Sequence, residues 1–150
     1  MFIVLQRVLK ASVSIDNSIY SSIEKGFVAL VGFQPDDNEN DLSFMVRKIL
    51  RIRIFDDENG ALNQSISDIN GDILLVPNFT LAADTTRGNR PGFSTAMPPN
   101  DAKVMFEKFV DDVSSLHTKV SSGLFGADMQ VSLINDGPIT ISLASKKLML

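Results

Sequence analysis

Met129-Gln130-Val131-Ser132-Leu133-Ile134-Asn135-Asp136-Gly137-Pro138-Ile139-Thr140-Ile141-Ser142-Leu143 holds two alternating runs divided by a turn sequence. The runs, Met129 to Ile134 and Ile139 to Leu143, read as β-strands by their period of two. Asp-Gly between such runs ordinarily marks a hairpin turn with positive φ at both central residues. Pro138 complicates that reading. It removes a ladder N–H where the second strand should begin pairing, and it permits a cis peptide bond at modest cost. Gly137-Pro138 offers no side-chain chemistry, so any function it has comes from backbone carbonyls held in a fixed direction. Taken alone, the dipeptide is an ordinary turn.

Outward from this stretch, Phe2 to Val8 is an apolar run consistent with a buried strand. Val13, Ile15, Ile19 and Ile23 predict a hairpin through Asp16-Asn17. Phe27 to Phe33 reads as a second buried run. Leu42, Met45, Val46, Ile49 and Leu50 follow helical spacing, with Asn38 or an adjacent Asp as cap. Asp56-Asp57-Glu58-Asn59-Gly60 is an acidic turn without the spaced ligands of a calcium loop. Ile73 to Val76 predicts a short strand ending at Pro77. A second helix is expected from about Asp101 to Leu116, with Ala102, Met105, Phe106, Phe109, Val113 and Leu116 on its core face. A short strand at Lys119 to Ser121 follows, and Lys146-Lys147 before Leu148-Met149-Leu150 reads as a frayed tail. Strands in consecutive runs with two helices predict a single α+β domain over 1–150. Its helices are expected to pack on an antiparallel sheet, not on a doubly wound parallel one.

Composition narrows the chemistry. The chain has 150 residues, 44% of them hydrophobic, enough for a core within one domain. No run approaches a membrane span, and the N-terminus lacks a secretory pattern, so a cytoplasmic protein is expected. The absence of cysteine excludes disulfides and thiolate chemistry, and a single histidine leaves no Cys/His zinc site. A Ser-His-Asp triad would have to use His117, in the last turn of the predicted second helix, where it reads as structural or solvated. A net charge of −4 argues against a generic nucleic-acid binder. Any RNA contact is therefore expected to be local.

A second segment is Val76-Pro77-Asn78-Phe79-Thr80-Leu81-Ala82-Ala83-Asp84-Thr85, followed by Arg87-Gly88-Asn89-Arg90-Pro91. With Asn135 to Thr140 it resembles the D-aminoacyl-tRNA deacylases, also called D-tyrosyl-tRNA deacylases. The family's Asn-x-Gly-Pro-[Val/Ile]-Thr motif is matched in full by Asn135 to Thr140. Its Ser-Gln-x-x-Thr-Leu motif is matched in part, by Thr80 and Leu81, with Pro77-Asn78 in place of Ser-Gln. Gln6-Arg7-Val8, Ala11-Ser12-Val13, Arg53-Ile54-Phe55 and Gly123 to Val131 extend the likeness over nearly the whole chain. The resemblance implies a small antiparallel β-barrel-like or two-sheet core flanked by two main helices. It also implies a homodimer with active sites at the subunit interface, acting on the 3′ end of D-aminoacyl-tRNA in translation proofreading.

Hydrolysis of an activated ester needs a placed water, a positioned carbonyl and donors aimed at the oxyanion. Phe79 and Thr80, just past a buried strand, are suited to aim backbone N–H groups into a cleft, and Asn78 keeps an amide beside them. The Thr80 hydroxyl is a candidate nucleophile or water-positioning group. Positioning is preferred, because no base lies next to it in sequence. By resemblance, Gly137-Pro138 is a cis dipeptide reaching into the partner subunit's site. There it binds the substrate amino group, excludes L side chains by their bulk and lets glycine pass.

Phe125 is a candidate for stacking on the terminal adenine, with core packing as its equal alternative. Arg7 and Met129 are further candidates at the substrate or tRNA end, Arg7 shaping either the pocket or the dimer contact. Leu124 stands where the family usually has a basic residue. Arg87 and Arg90 either guide phosphate or solvate their loop. Arg47, Lys48 and Arg51 form either a solvated helix face or a tRNA-backbone contact. No metal or organic cofactor is called for. Two other readings stay open: a weakened tRNA-end binding module, in which Pro77-Asn78 has dismantled the site, and an esterase or amidase for another small D-substrate, which the net charge of −4 favours.

Overall fold

A computed structural model describes residues 1–146 of the chain. Strand β1, Phe2–Ile15, is the spine. It turns through Asp16 and Asn17, both at positive φ, into β2, Ser18–Ile23, as the hairpin reading requires. Strand β3, Gly26–Gly32, returns antiparallel to the first half of β1. Helix α1, Glu39–Arg51, follows, capped at Asn38 by a reciprocal box. The Asn38 side chain accepts from the Asn40 N–H at 2.9 Å, and Asp41 accepts from the Asn38 N–H at 3.0 Å. The predicted stripe of Leu42, Met45, Val46, Ile49 and Leu50 is buried.

Two short strands, β4 at Phe55–Asp56 and β5 at Leu62–Gln64, pair around the acidic turn as a separate small sheet. A single helical turn, α2 at Ile66–Ile69, leads to β6, Asp72–Pro77. Helix α3, Pro99–Ser114, β7, Val120–Ser122, and β8, Gln130–Ala144, complete the described chain. Among the described residues no helix is long and apolar enough to cross a membrane.

The main sheet runs β2-β1-β3-β6-β7, with β8 along the other side of β1. Ser21 on edge β2 donates to the Ser122 carbonyl on edge β7 at 3.0 Å, so the sheet curls into a nearly closed barrel. The expectation of a purely antiparallel sheet is corrected here. Strands β3-β6 and β6-β7 are parallel, because α1 and α3 lie in the two connections and bring the chain back to the same end. Hydrophobic period reports burial and carries no information on strand direction.

Strands β3 and β6 read as unbroken apolar runs because both faces are covered. Phe27, Ala29, Val31, Ile73 and Leu75 face the helices, in one core with Phe106 and Phe109. Val28, Leu74 and Val76 face the barrel interior with Val8, Val13 and Ile23.

Three other expectations change. Helix α3 stops at Ser114, so Leu116 lies beyond it and is 64% exposed. His117, also beyond the helix end, is only 7% exposed and bonds through Nε2 to the Gly71 carbonyl at 2.6 Å. It is structural, and its partner is a loop carbonyl instead of a helix terminus. Lys146 is not frayed: its ammonium sits 3.1 Å from Asp36, 3.5 Å from Asp37 and 3.4 Å from Asp41. Lys147, Leu148, Met149 and Leu150 lie outside the described residues.

The Lys146 bond holds the Asp36 carboxyl below its ordinary 3.8. Burial pushes Asp41 upward, but bonds from Ser145, the Asn38 N–H and Lys146 outweigh it and leave its carboxyl lowered. Depressed carboxylates contribute stability above their unfolded value and lose it as pH falls through the folded one. Lys146 is raised, net of its own desolvation, by the same carboxylates, so its contribution is lost only at strongly alkaline pH. Lys146→Met is therefore expected to destabilise the fold at about pH 7 and to have a smaller effect near pH 3. Urea unfolding at the two pH values measures the difference.

Candidate functional site

The parallel strand β6 ends at Pro77, against Val31 of β3, and the chain then leaves the sheet. The Asn78 N–H still reaches the Val31 carbonyl at 2.7 Å. From there Phe79–Ala82 winds into a 3-10 turn. The Leu81 N–H bonds to the Asn78 carbonyl and the Ala83 N–H to the Thr80 carbonyl. Among the described residues the N–H groups of Phe79 and Thr80 have no backbone acceptor, as at the start of any helical turn.

The turn lies hard against β3. A Cβ placed on Gly32 would meet the Asn78 carbonyl oxygen at 2.8 Å and Leu81 Cβ at 2.9 Å, so only glycine lets the two backbones approach this closely.

An open cavity of about 740 Å³ lies beside the turn. Pro77, Asn78, Phe79 and Thr80 line it from one side, Phe125 to Met129 from another, and Phe93 with Met97 to Pro99 from a third. Its wall is apolar, and among the described residues Asp128 is the one ionisable side chain on it. Phe79, 56% exposed, meets Phe93 edge-on with ring centroids 5.0 Å apart. Phe125 lines the cavity and also packs against Phe106 at 6.3 Å between centroids.

The Thr80 hydroxyl donates to Asn78 Oδ1 at 2.5 Å. Its proton is thereby committed to an amide oxygen, which is no base, while its lone pairs stay free to accept from water. This arrangement suits positioning and does not suit a nucleophile. Asn78, in the place of the expected Gln, thus makes a defined contact, and Pro77 is among the residues lining the cavity.

The second element is on β8. The hairpin reading of Asp136-Gly137 fails, since both flanking runs belong to one strand and pair with the same partner. Thr140 lies opposite Gln6 and Asn135 opposite Val8, so Asp136 to Ile139 is an excursion opposite Arg7 alone. The Asn135 amide closes its base, donating to the Arg7 carbonyl at 2.9 Å and to the Ile139 carbonyl at 2.9 Å. Thr140 donates to Asn135 Oδ1 at 3.2 Å. These bonds account for Asn and Thr at the two ends of the motif.

Arg7, only 7% exposed, reaches in from β1. Its Nε donates to the Asp136 carbonyl at 3.2 Å, and its Nη1 to the Ile54 carbonyl at 3.0 Å. The Asp136 and Asp56 carboxylates each lie 3.3 Å away. Gly137 has φ 122°, and a Cβ there would sit 3.2 Å from Arg7 Nη2. The Gly137-Pro138 bond is cis, and both residues are exposed.

Within one chain, Thr80, Phe79, Asn78, Phe125 and Met129 share the cavity, while Gly137 and Pro138 do not line it. Arg7 belongs with the excursion. Sequence reading missed Asp136, Asp56 and the carbonyl of Ile54 as partners of Arg7. Only the pairing of Arg53-Ile54-Phe55 with the family pattern hinted at that segment.

Two substitutions test this geometry. Gly32→Ala should push the Asn78–Leu81 turn out of place and cost about 1–3 kcal/mol, read by denaturant unfolding. Asn135→Ala strands two carbonyls at the excursion's base and should cost about 1–3 kcal/mol, with the cavity residues unaffected by NMR chemical shift.

A family model described as D-Tyr-tRNA(Tyr) deacylase matches residues 4–144. The D-aminoacyl-tRNA deacylase of Chlorobaculum tepidum is 52% identical over 145 residues, covering 96% of this chain and 97% of that one. The D-aminoacyl-tRNA deacylase of Thermosipho africanus is 47% identical over 144 residues, with 96% and 97% covered. A solved structure described as c-Myc DNA Unwinding Element Binding Protein superposes with a TM-score of 0.94 at 39% identity, over 98% of this chain and 100% of that chain. A probable eukaryotic D-amino acid tRNA deacylase superposes with a TM-score of 0.81 at 18% identity, over 95% and 97%, a likeness of fold.

Proposed function

This chain belongs to the D-aminoacyl-tRNA deacylase family and is a hydrolase of the D-aminoacyl-tRNA ester bond; on that premise we propose that it works by positioning water, without a covalent intermediate. The aminoacyl end of the tRNA enters the apolar cavity beside Thr80. Thr80 accepts a hydrogen bond from the attacking water, and the water oxygen adds to the ester carbonyl. The Phe79 and Thr80 N–H groups, free of backbone acceptors, donate to the oxyanion that forms. Collapse breaks the bond to the ribose oxygen, which takes up the proton given up by the attacking water as the free amino acid leaves. The neighbouring ribose 2′-hydroxyl assists that transfer. The bond from Thr80 to Asn78 carries this reading, since a hydroxyl whose proton is held by an amide has no base to activate it.

Handedness is decided by Gly137-Pro138. The dipeptide is exposed and lies outside its own chain's cavity, which supports its insertion into the cavity of a second copy in a homodimer. Its carbonyls accept from the substrate amino group and leave no room for the side chain of an L-residue. Such exclusion reads no D side chain, so substrate range is broad and a glycyl ester is also cleaved. Phe125 and Met129 hold the terminal adenosine against the cavity wall. The setting is the cytoplasm, where the enzyme removes mischarged D-residues before they reach the ribosome.

Purified protein is expected to discharge D-tyrosyl-tRNA rapidly and to leave L-tyrosyl-tRNA intact, measured by release of labelled amino acid. Loss of neither ester overturns the catalytic reading in favour of an end-binding module, and loss of both overturns the filter. Thr80→Ala should keep turnover within roughly 10²-fold of wild type, the scale of a lost positioning contact. Abolition beyond roughly 10⁴-fold would instead indicate a covalent role.

A further inference from the structure

The cavity can bind a nucleoside, but it is built wrongly for the rest of an RNA. Its wall is apolar, and the one ionisable group on it among the described residues, Asp128, has the wrong sign for phosphate. Charge recognition must therefore lie at the rim. The segment from Asp84 to Gly92 forms a small hairpin there, closed by the paired N–H groups of Asp84 and Gly92, each donating to the other's carbonyl at 2.8 Å.

Its base is tied to the cavity on both sides. The preceding 3-10 turn carries Phe79, and the following residue, Phe93, meets that ring edge-on. Thr95 donates to the Ala82 carbonyl at 2.5 Å. The Asp84 carboxylate is occupied inside the hairpin, accepting from the Thr86 hydroxyl at 2.6 Å and the Thr86 N–H at 2.9 Å.

The tip carries Arg87 and Arg90, both exposed. Neither makes an ion pair or a side-chain hydrogen bond among the described residues. Arg47, Lys48 and Arg51 on α1 are likewise without ion pairs among the described residues, but they line no part of the cavity, whereas the Arg87–Arg90 hairpin leads directly into cavity-lining Phe93. Two exposed guanidinium groups three residues apart, on an anchored hairpin that leads into cavity-lining Phe93, carry the charge that a phosphodiester backbone recognises. Each presents a planar fork that a phosphate fills bidentately.

We propose that the Asp84–Gly92 hairpin is a phosphate clamp, in which Arg87 and Arg90 hold backbone phosphates of the single-stranded RNA end whose terminal nucleoside enters the cavity. The inference rests on the reading of that cavity as the site for the tRNA end. The clamp draws binding energy from a part of the substrate remote from the ester, and it explains how an acidic protein engages RNA through a local contact.

Binding of uncharged tRNA, followed by fluorescence anisotropy across a salt series, tests the clamp without relying on catalysis. Each single-strand phosphate contact contributes about 0.7 to the slope of log affinity against log salt, so Arg87→Ala with Arg90→Ala should flatten it by about 1.4. Between about 50 and 200 mM salt the double variant then loses roughly sevenfold less affinity than wild type. Arg87→Lys with Arg90→Lys keeps the wild-type slope, because the charges remain, which a purely structural role for the arginines does not predict. D-tyrosyl-adenosine, which has no phosphate, serves as the contrasting substrate, and the alanine pair should depress hydrolysis of the tRNA ester alone. An unchanged slope in the alanine pair, or equal losses on both esters, overturns the clamp. A flattened slope in a protein that cleaves neither ester upholds the clamp and overturns the catalytic reading.

Discussion

A buried guanidinium organises this molecule. Arg7 sits on the central strand, almost sealed from water, and a charge in that position requires partners on every side. Two carbonyls and two carboxylates supply them, and one carbonyl and one carboxylate belong to Asp136. β8 therefore cannot run straight past β1. It leaves the ladder after Asn135, gives Arg7 the acceptors it needs, and rejoins at Thr140, with the Asn135 amide bridging the gap. The outward display of Gly137 and Pro138 is the other face of the same arrangement.

The cavity owes its position to a different constraint. Strands β3 and β6 are covered on both faces, by helices on one and by the barrel interior on the other. Where β6 ends, the two cores no longer have a sheet between them. Val76 and Leu30 from the barrel side, and Ala102 and Phe125 from the helix side, then border one open space. A chain leaving the sheet here loses its strand acceptors, and Phe79 and Thr80, whose N–H groups lack backbone acceptors among the described residues, line that space. Ligand sites beyond the carboxyl ends of parallel strands have the same origin.

The chemistry available is correspondingly neutral. Among the described residues no histidine, lysine or arginine lines the cavity, and the one carboxylate there, Asp128, is exposed. An ester tolerates this, because its leaving group is good and water is a sufficient nucleophile when held in place. The Pro77-Asn78 pair fits the same logic. Proline gives up a strand N–H at the point where the strand is ending. Asparagine, one methylene shorter than glutamine, reaches back to Thr80 within the turn.

Local patterns in the sequence carried much of this. The hairpin at Asp16-Asn17, the Asn38 cap, the α1 stripe and the doubly buried runs of β3 and β6 were legible because propensity and period act between near neighbours. The residues of the cavity wall from Asn78 to Thr80, with Phe125 and Met129, were legible only through the motifs that contain them. What the chain could not declare in one dimension is long-range pairing. The parallel direction of β6, the continuity of β8 through Gly137-Pro138, the bond from His117 to Gly71 and the anchoring of Lys146 all join residues remote in sequence. Each depends on which groups burial leaves in need of a partner, and that is decided only when the whole chain has packed.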